Sequence, residues 1–81
     1  MTTLYDLANS AYVQGNISVV IFNDDCEEVR RVNIECADDL SWHLRHELQD
    51  MEDLEVMYMY AELIDKTPWF VIELKEGEDD E

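Results

Sequence analysis

The amino-acid sequence predicts an α+β fold: one small domain in the order α-β-β-α-β-β, with a four-stranded antiparallel sheet and two helices on one face. Three observations lead there. Two β-rich segments each turn back across a short polar stretch, so they read as hairpins. Each hairpin is preceded by a segment with apolar residues at helical spacing. The length of 81 residues allows a single core and no more. Residues 1–75 are expected to form this acidic domain, and residues 76–81 a disordered acidic tail.

The first element is a short helix. Thr3 and Asp6 form a potential capping pair, Leu4, Leu7, Ala8, Ala11 and Tyr12 recur on one face, and Gly15 offers a stop. The run from Ile17 to Phe22 is β-branched and ends at Asn23-Asp24-Asp25. It pairs naturally with the segment from Val29 to Cys36, where Arg30 and Asn33 interleave with Val32 and Ile34. Asp38 or Asp39 then caps a second helix, whose Leu40, Leu44, Leu48 and Met51 form one stripe toward the core. That helix is expected to reach Glu52. A second hairpin follows, from Val56 to Ile64 and from Trp69 to Leu74, broken at Asp65-Lys66-Thr67-Pro68. Pro68 suits the turn or the very start of the last strand, where no ladder donor is needed.

Charge separates this chain from an ordinary small domain. Twenty-one acids stand against five bases, a formal charge of −16, in a chain that is 47% hydrophobic. Without residues 76–81, sixteen acids still face five bases, so the folded body keeps −11. Such self-repulsion costs stability, and solubility alone would need less of it. The surface disfavours nucleic acid and anionic membrane and attracts the Lys/Arg grooves that hold nucleic acid. Alternate strand residues lie about 6.6 Å apart and helix neighbours at i, i+3 and i+4 about 5–6 Å apart, close to the pitch of phosphates along a nucleic-acid strand. The candidate partner-binding carboxylates are Asp24, Asp25, Glu27 and Glu28 on the first turn, and Asp38 and Asp39 at the start of the second helix. Glu47, Asp50, Glu52, Asp53 and Glu55 follow at its end. Glu62, Asp65 and Glu73 extend the pattern. A surface acidic for solubility alone is the competing account.

Trp42 projects from the second helix opposite the leucine stripe, beside Arg45, His46 and Gln49, as a candidate binding anchor, the alternative being that the first helix or the tail covers it. Tyr58 and Tyr60 alternate with Met57 and Met59, so one pair is expected in the core, and the other either packed as well or on an open sheet face. Cys26 and Cys36 lie ten positions apart without a CxxC motif, which favours a free turn thiol and a small core residue. With His43 and His46 they would supply the atoms of a zinc site, although the spacing matches no strong motif. No catalytic triad, HExxH, phosphate-cradling glycine loop or calcium loop is present, so the expectation is no enzyme, no cofactor and no bound metal. The amino terminus lacks a basic region followed by a long apolar run, and no apolar stretch approaches the ~20 residues of a membrane helix, so a cytoplasmic protein is expected.

Met1-Thr2-x-Leu4-x-Asp6 near one end, and Pro68-Trp69 leading into Val71-Ile72 near the other, resemble the phage uracil-DNA glycosylase inhibitors. In size, charge and α+β pattern the chain is similar more widely to the small acidic inhibitors of phages and mobile elements, including anti-CRISPR and anti-restriction proteins. The hairpin before the second helix departs from the glycosylase-inhibitor order, and no functional residues carry over from any of these families. The resemblance implies a DNA mimic that blocks the basic nucleic-acid groove of a defence or DNA-processing protein, with an RNA-guided nuclease as preferred target. It would bind neither nucleic acid nor membrane directly, and would act as a monomer or homodimer. The alternative is a non-enzymatic interaction module that binds through its aromatic and methionine side chains.

Overall fold

The computed structural model describes residues 2–11 and 13–77. The elements are α1 (Leu4–Ser10), β1 (Gly15–Phe22), β2 (Glu28–Ala37), α2 (Leu40–Leu44), a 3-10 turn (Gln49–Met51), β3 (Glu55–Ile64) and β4 (Thr67–Lys75). The predicted order α-β-β-α-β-β holds. Of the tail expected at residues 76–81, residues 78–81 lie outside the described residues, as does Tyr12 on the first helix stripe.

The sheet is mixed rather than wholly antiparallel. Its strand order is β2-β1-β4-β3, with two antiparallel hairpins joined by a parallel pairing of β1 with β4. Burial explains why those two strands meet in the middle. Residues Ile17 through Ile21 are all buried, as are Val71, Ile72 and Leu74, and strands apolar on both faces belong at a sheet centre. β2 and β3, which carry most of the exposed residues, take the edges.

The ladder assigns the faces. Ile17, Val19 and Ile21 align with Phe70, Ile72 and Leu74, and Ile17 and Val19 with Ile34 and Val32. This face packs against Leu4, Leu7 and Ala8 of α1 and against Leu40, Leu44, Leu48 and Met51, which form the core with it. The capping box at α1 is complete: the Asp6 amide donates to Thr3 Oγ1 at 3.1 Å, and the Thr3 amide to Asp6 Oδ2 at 3.2 Å.

Both helices end earlier than expected. Ala11 is already extended, and Gly15 does not stop α1 but opens β1 at φ 104°, next to a register shift. At that shift the Cys36 amide donates to Asn16 Oδ1 at 2.9 Å. α2 stops at Leu44 instead of running to Glu52. The Trp42 carbonyl, which the His46 amide would use in a continuing helix, instead accepts the Arg45 amide at 3.1 Å and lies 2.8 Å from His46 Nδ1. The His46 amide bonds His43 O, Leu48 also donates to His43 O, and the chain proceeds in short turns. The leucine stripe still reaches the core, with Leu40 and Leu48 fully buried.

The turns follow their residues. Asn23 Oδ1 accepts from the amides of Asp25 and Glu27, and Cys26 takes the left-handed conformation at φ 62°. Asp65 and Lys66 have φ of 53° and 69°, the two-residue hairpin geometry that suits a right-handed twist. Ile64 therefore pairs with Thr67, and Pro68 enters the second position of β4.

Candidate functional site

Strand register gathers most of the acidic candidates at one end of the sheet. Phe22, the last residue of β1, pairs with Glu28 on one side and Lys75 on the other, and Lys75 pairs with Glu55. The 23–27 turn, the start of β3 and the end of β4 thus share that end. Arg30 Nη1 holds Asp50 at 2.6 Å, bringing the 3-10 turn there too, and Glu52 and Asp53 lead from it into Glu55. Asp24, Asp25, Glu27, Glu28, Asp50, Glu52, Asp53 and Glu55, from two separated stretches of sequence, consequently line one end of the sheet. Glu76, whose amide donates to Phe22 O, joins them. Sequence reasoning had set Glu76 apart with the tail, since nothing local shows that the ladder continues one residue past β4.

Within this end the carboxylates differ in what holds them. Glu28 forms a two-point pair with Arg31 at 3.0 and 3.1 Å, and that hydrogen bonding holds its pKa below the ordinary value. Asp50 is lowered likewise by its bond to Arg30. Asp24, Asp25 and Asp53 are exposed and take part in no ion pair among the described residues. These, with the equally exposed Glu27 and Glu76, are the charges left for an outside cation.

Asp38 and Asp39 are not part of this cluster. Gly15 pairs with Ala37, which puts them at the opposite end of the sheet. Asp39 is half-buried and occupied as the α2 cap, accepting from the Ser41 amide at 3.3 Å and the Ser41 hydroxyl at 2.8 Å. Glu47 stands apart on the outer side of the turn after α2. Its carboxyl is held below the usual range by its own backbone amide and by His43. Glu47 Oε1 lies 3.1 Å from His43 Nδ1, yet that buried nitrogen has no aligned hydrogen-bond partner among the described residues. We read the contact as electrostatic proximity outside the ring's donor direction.

Trp42 is 50% exposed and stacks on His46, with ring centroids 3.8 Å apart and planes 15° from parallel. The stack presents a flat, preorganised aromatic surface with polar edges. The expectation that one of the Tyr and Met pairs would be core is overturned: Met57, Tyr58, Met59 and Tyr60 are all exposed. A register shift between Val56 and Tyr58 makes Met57 an extra residue, and it lines a cavity together with Tyr58, Phe22, Asp24, Glu73 and Lys75. This cavity of about 350 Å³ joins the acidic end to the sheet face that the helices leave uncovered.

That second face covers its own centre. Ser18, Val20 and Val71 are buried there although no helix among the described residues packs on that face. Arg31 Nη1 donates to Ser18 Oγ at 3.0 Å, Ser18 donates to Asn33 Oδ1 at 2.7 Å, and the Tyr60 hydroxyl donates to Glu73 Oε2 at 2.5 Å. The last bond, with the Glu73 charge, pushes the Tyr60 phenol up to about 12. A phenol whose pKa is raised on folding contributes stability below the ordinary value of about 10, lost as pH rises through 12. Absorbance titration is therefore expected to show one late tyrosine that is missing in Tyr60→Phe. A late phase retained in that variant would mean the bond is not made in solution.

Cys26 and Cys36 are both free. They lie in the turn and near the register shift at opposite ends of β2, and Cys36 is exposed at φ 55° rather than a core residue. Among the described residues no group of three or more His, Cys, Asp or Glu is placed to hold a metal ion, so the Cys and His pairs do not assemble. No helix among the described residues is long and apolar enough to cross a membrane. Neither a family model, nor a curated protein, nor a solved structure matches this chain.

Proposed function

We propose that the protein is a DNA mimic that binds the basic nucleic-acid groove of a DNA-processing or defence protein and blocks it sterically. The carrying observation is the acidic end of the sheet, where turn, strand and 3-10 residues converge and Asp24, Asp25 and Asp53 remain without ion pairs among the described residues. The Asn23 side chain holds the backbone of the turn that carries Asp24 and Asp25, so part of the charge pattern is set before binding, which favours a charged partner over bulk counter-ions. An RNA-guided nuclease is the preferred target, since such enzymes read a short duplex motif with arginines and carry their heteroduplex in a positive channel. The site of action would be cytoplasmic, and neither enzyme activity nor a cofactor is needed.

Tagged protein incubated with nuclease-treated lysate is expected to retain a nucleic-acid enzyme at low salt and release it at high salt. DNA or the guide complex of that enzyme should compete. Retention that is indifferent to salt and to nucleic acid would sink the proposal.

The exposed Trp42–His46 stack supports a second reading, a protein-interaction module in which acid serves solubility. Under that reading Trp42→Ala removes most of the affinity, and charge reversal at the sheet end removes little.

A further inference from the structure

The two edges of the sheet are built differently. β2 exposes Glu28, Arg30, Arg31 and Glu35 along its length, the charged edge that discourages strand addition. β3 has no buried residue, and from Met57 to Ile64 it carries a single charge, Glu62. Its start is already occupied: Thr3 bridges to Glu55, and the Val56 amide donates to Thr2 O at 2.7 Å. Beyond the irregularity at Met57, the regular strand from Tyr58 to Ile64 offers one row of backbone donors and acceptors that no other strand among the described residues pairs. Such a row is satisfied by another strand edge.

We propose that the occupant is a second copy of this chain, its β3 pairing antiparallel with β3 about a two-fold axis at Ala61 to continue the sheet. Three features favour this partner over an unrelated strand. The free stretch from Tyr58 to Ile64 is centred on Ala61, and a two-fold axis perpendicular to the sheet keeps like faces together. In that register Met59 meets Leu63 on the helix side, and Tyr58 meets Ile64 on the other side, each twice. These side chains are 48%, 72%, 63% and 38% exposed in the single chain, so the pairing covers apolar groups the fold leaves in water. Glu62 is placed opposite Tyr60 rather than opposite itself. The antiparallel sense also sends the two acidic ends to opposite extremes of the assembly.

Charge makes the association recognisable. Two bodies of like sign repel, so dimerisation tightens as salt is added, the reverse of binding to a basic groove. Sedimentation of the full chain over a concentration series is expected to show the mass doubling, with a dissociation constant that falls as salt rises. Amide exchange should show protection from Tyr58 to Ile64 that grows with concentration. The double variant Met59→Lys, Leu63→Lys places like charges face to face at exposed positions and is expected to weaken the dimer by tenfold or more while leaving the monomer's circular dichroism unchanged. A chain that stays monomeric at millimolar concentration in high salt would overturn the proposal. So would growth beyond a dimer, or a dimer indifferent to the double variant.

Discussion

Asp24→Lys, Asp25→Lys and Asp53→Lys together are expected to abolish binding to the basic partner while leaving the fold intact. Each side chain is exposed and outside every ion pair among the described residues, so its reversal breaks no internal contact of that kind. The formal charge moves from −16 to −10, two per substitution, which relieves self-repulsion rather than adding to it. Each reversal at a close interfacial pair costs about 1–2 kcal/mol, so three together weaken binding by about a hundredfold to ten-thousandfold. Asp50 is a poorer test, because Arg30 holds it at 2.6 Å and reversal would set two cations together. Calorimetry of the captured partner with the triple variant, beside Trp42→Ala, reads the result. Near-normal affinity in the triple variant and a large loss in Trp42→Ala would transfer the function to the Trp42–His46 stack.

Leu48→Ala is expected to lower the midpoint of thermal unfolding by about 10 °C or more. Leu48 is fully buried although it lies outside both helices, and its amide is tied to His43 O, so the chain around it has little room to collapse into the space left. Deleting a fully buried leucine side chain costs about 2–5 kcal/mol, and in a domain of this size each kcal/mol moves the midpoint by about 4–8 °C. A body that already carries −11 has little reserve against that loss. Differential scanning calorimetry decides, and an unchanged midpoint would show that Leu48 is not packed as described.

Periodicity made most elements legible. The Thr3/Asp6 pair, the β-branched run before Asn23 and the leucine stripe each carry a local signal that survives in the folded chain. The early end of α2 was not legible in the same way. The stripe from Leu40 to Met51 fits a straight helix and a broken one equally, and no local signal announces that the Arg45 and His46 amides take the carbonyls three residues back. Likewise Tyr58 and Met57 alternate in sequence, yet one register shift sets both along the same cavity.

By itself the sequence determined the element order, the core stripe, the turn chemistry and the strongly acidic balance, because each rests on residues within a few positions of one another. The parallel join of β1 to β4, and with it the mixed sheet, was decided only by tertiary structure. It depends on which strands are buried on both faces once the helices have covered one of them. The same join brings the turn at Asp24 beside the approach to β3 at Asp53, and sends Asp38 and Asp39 to the other end. Carboxylates roughly thirty positions apart have no local interaction to announce that they will meet, so the acidic end exists only when strand register has set it.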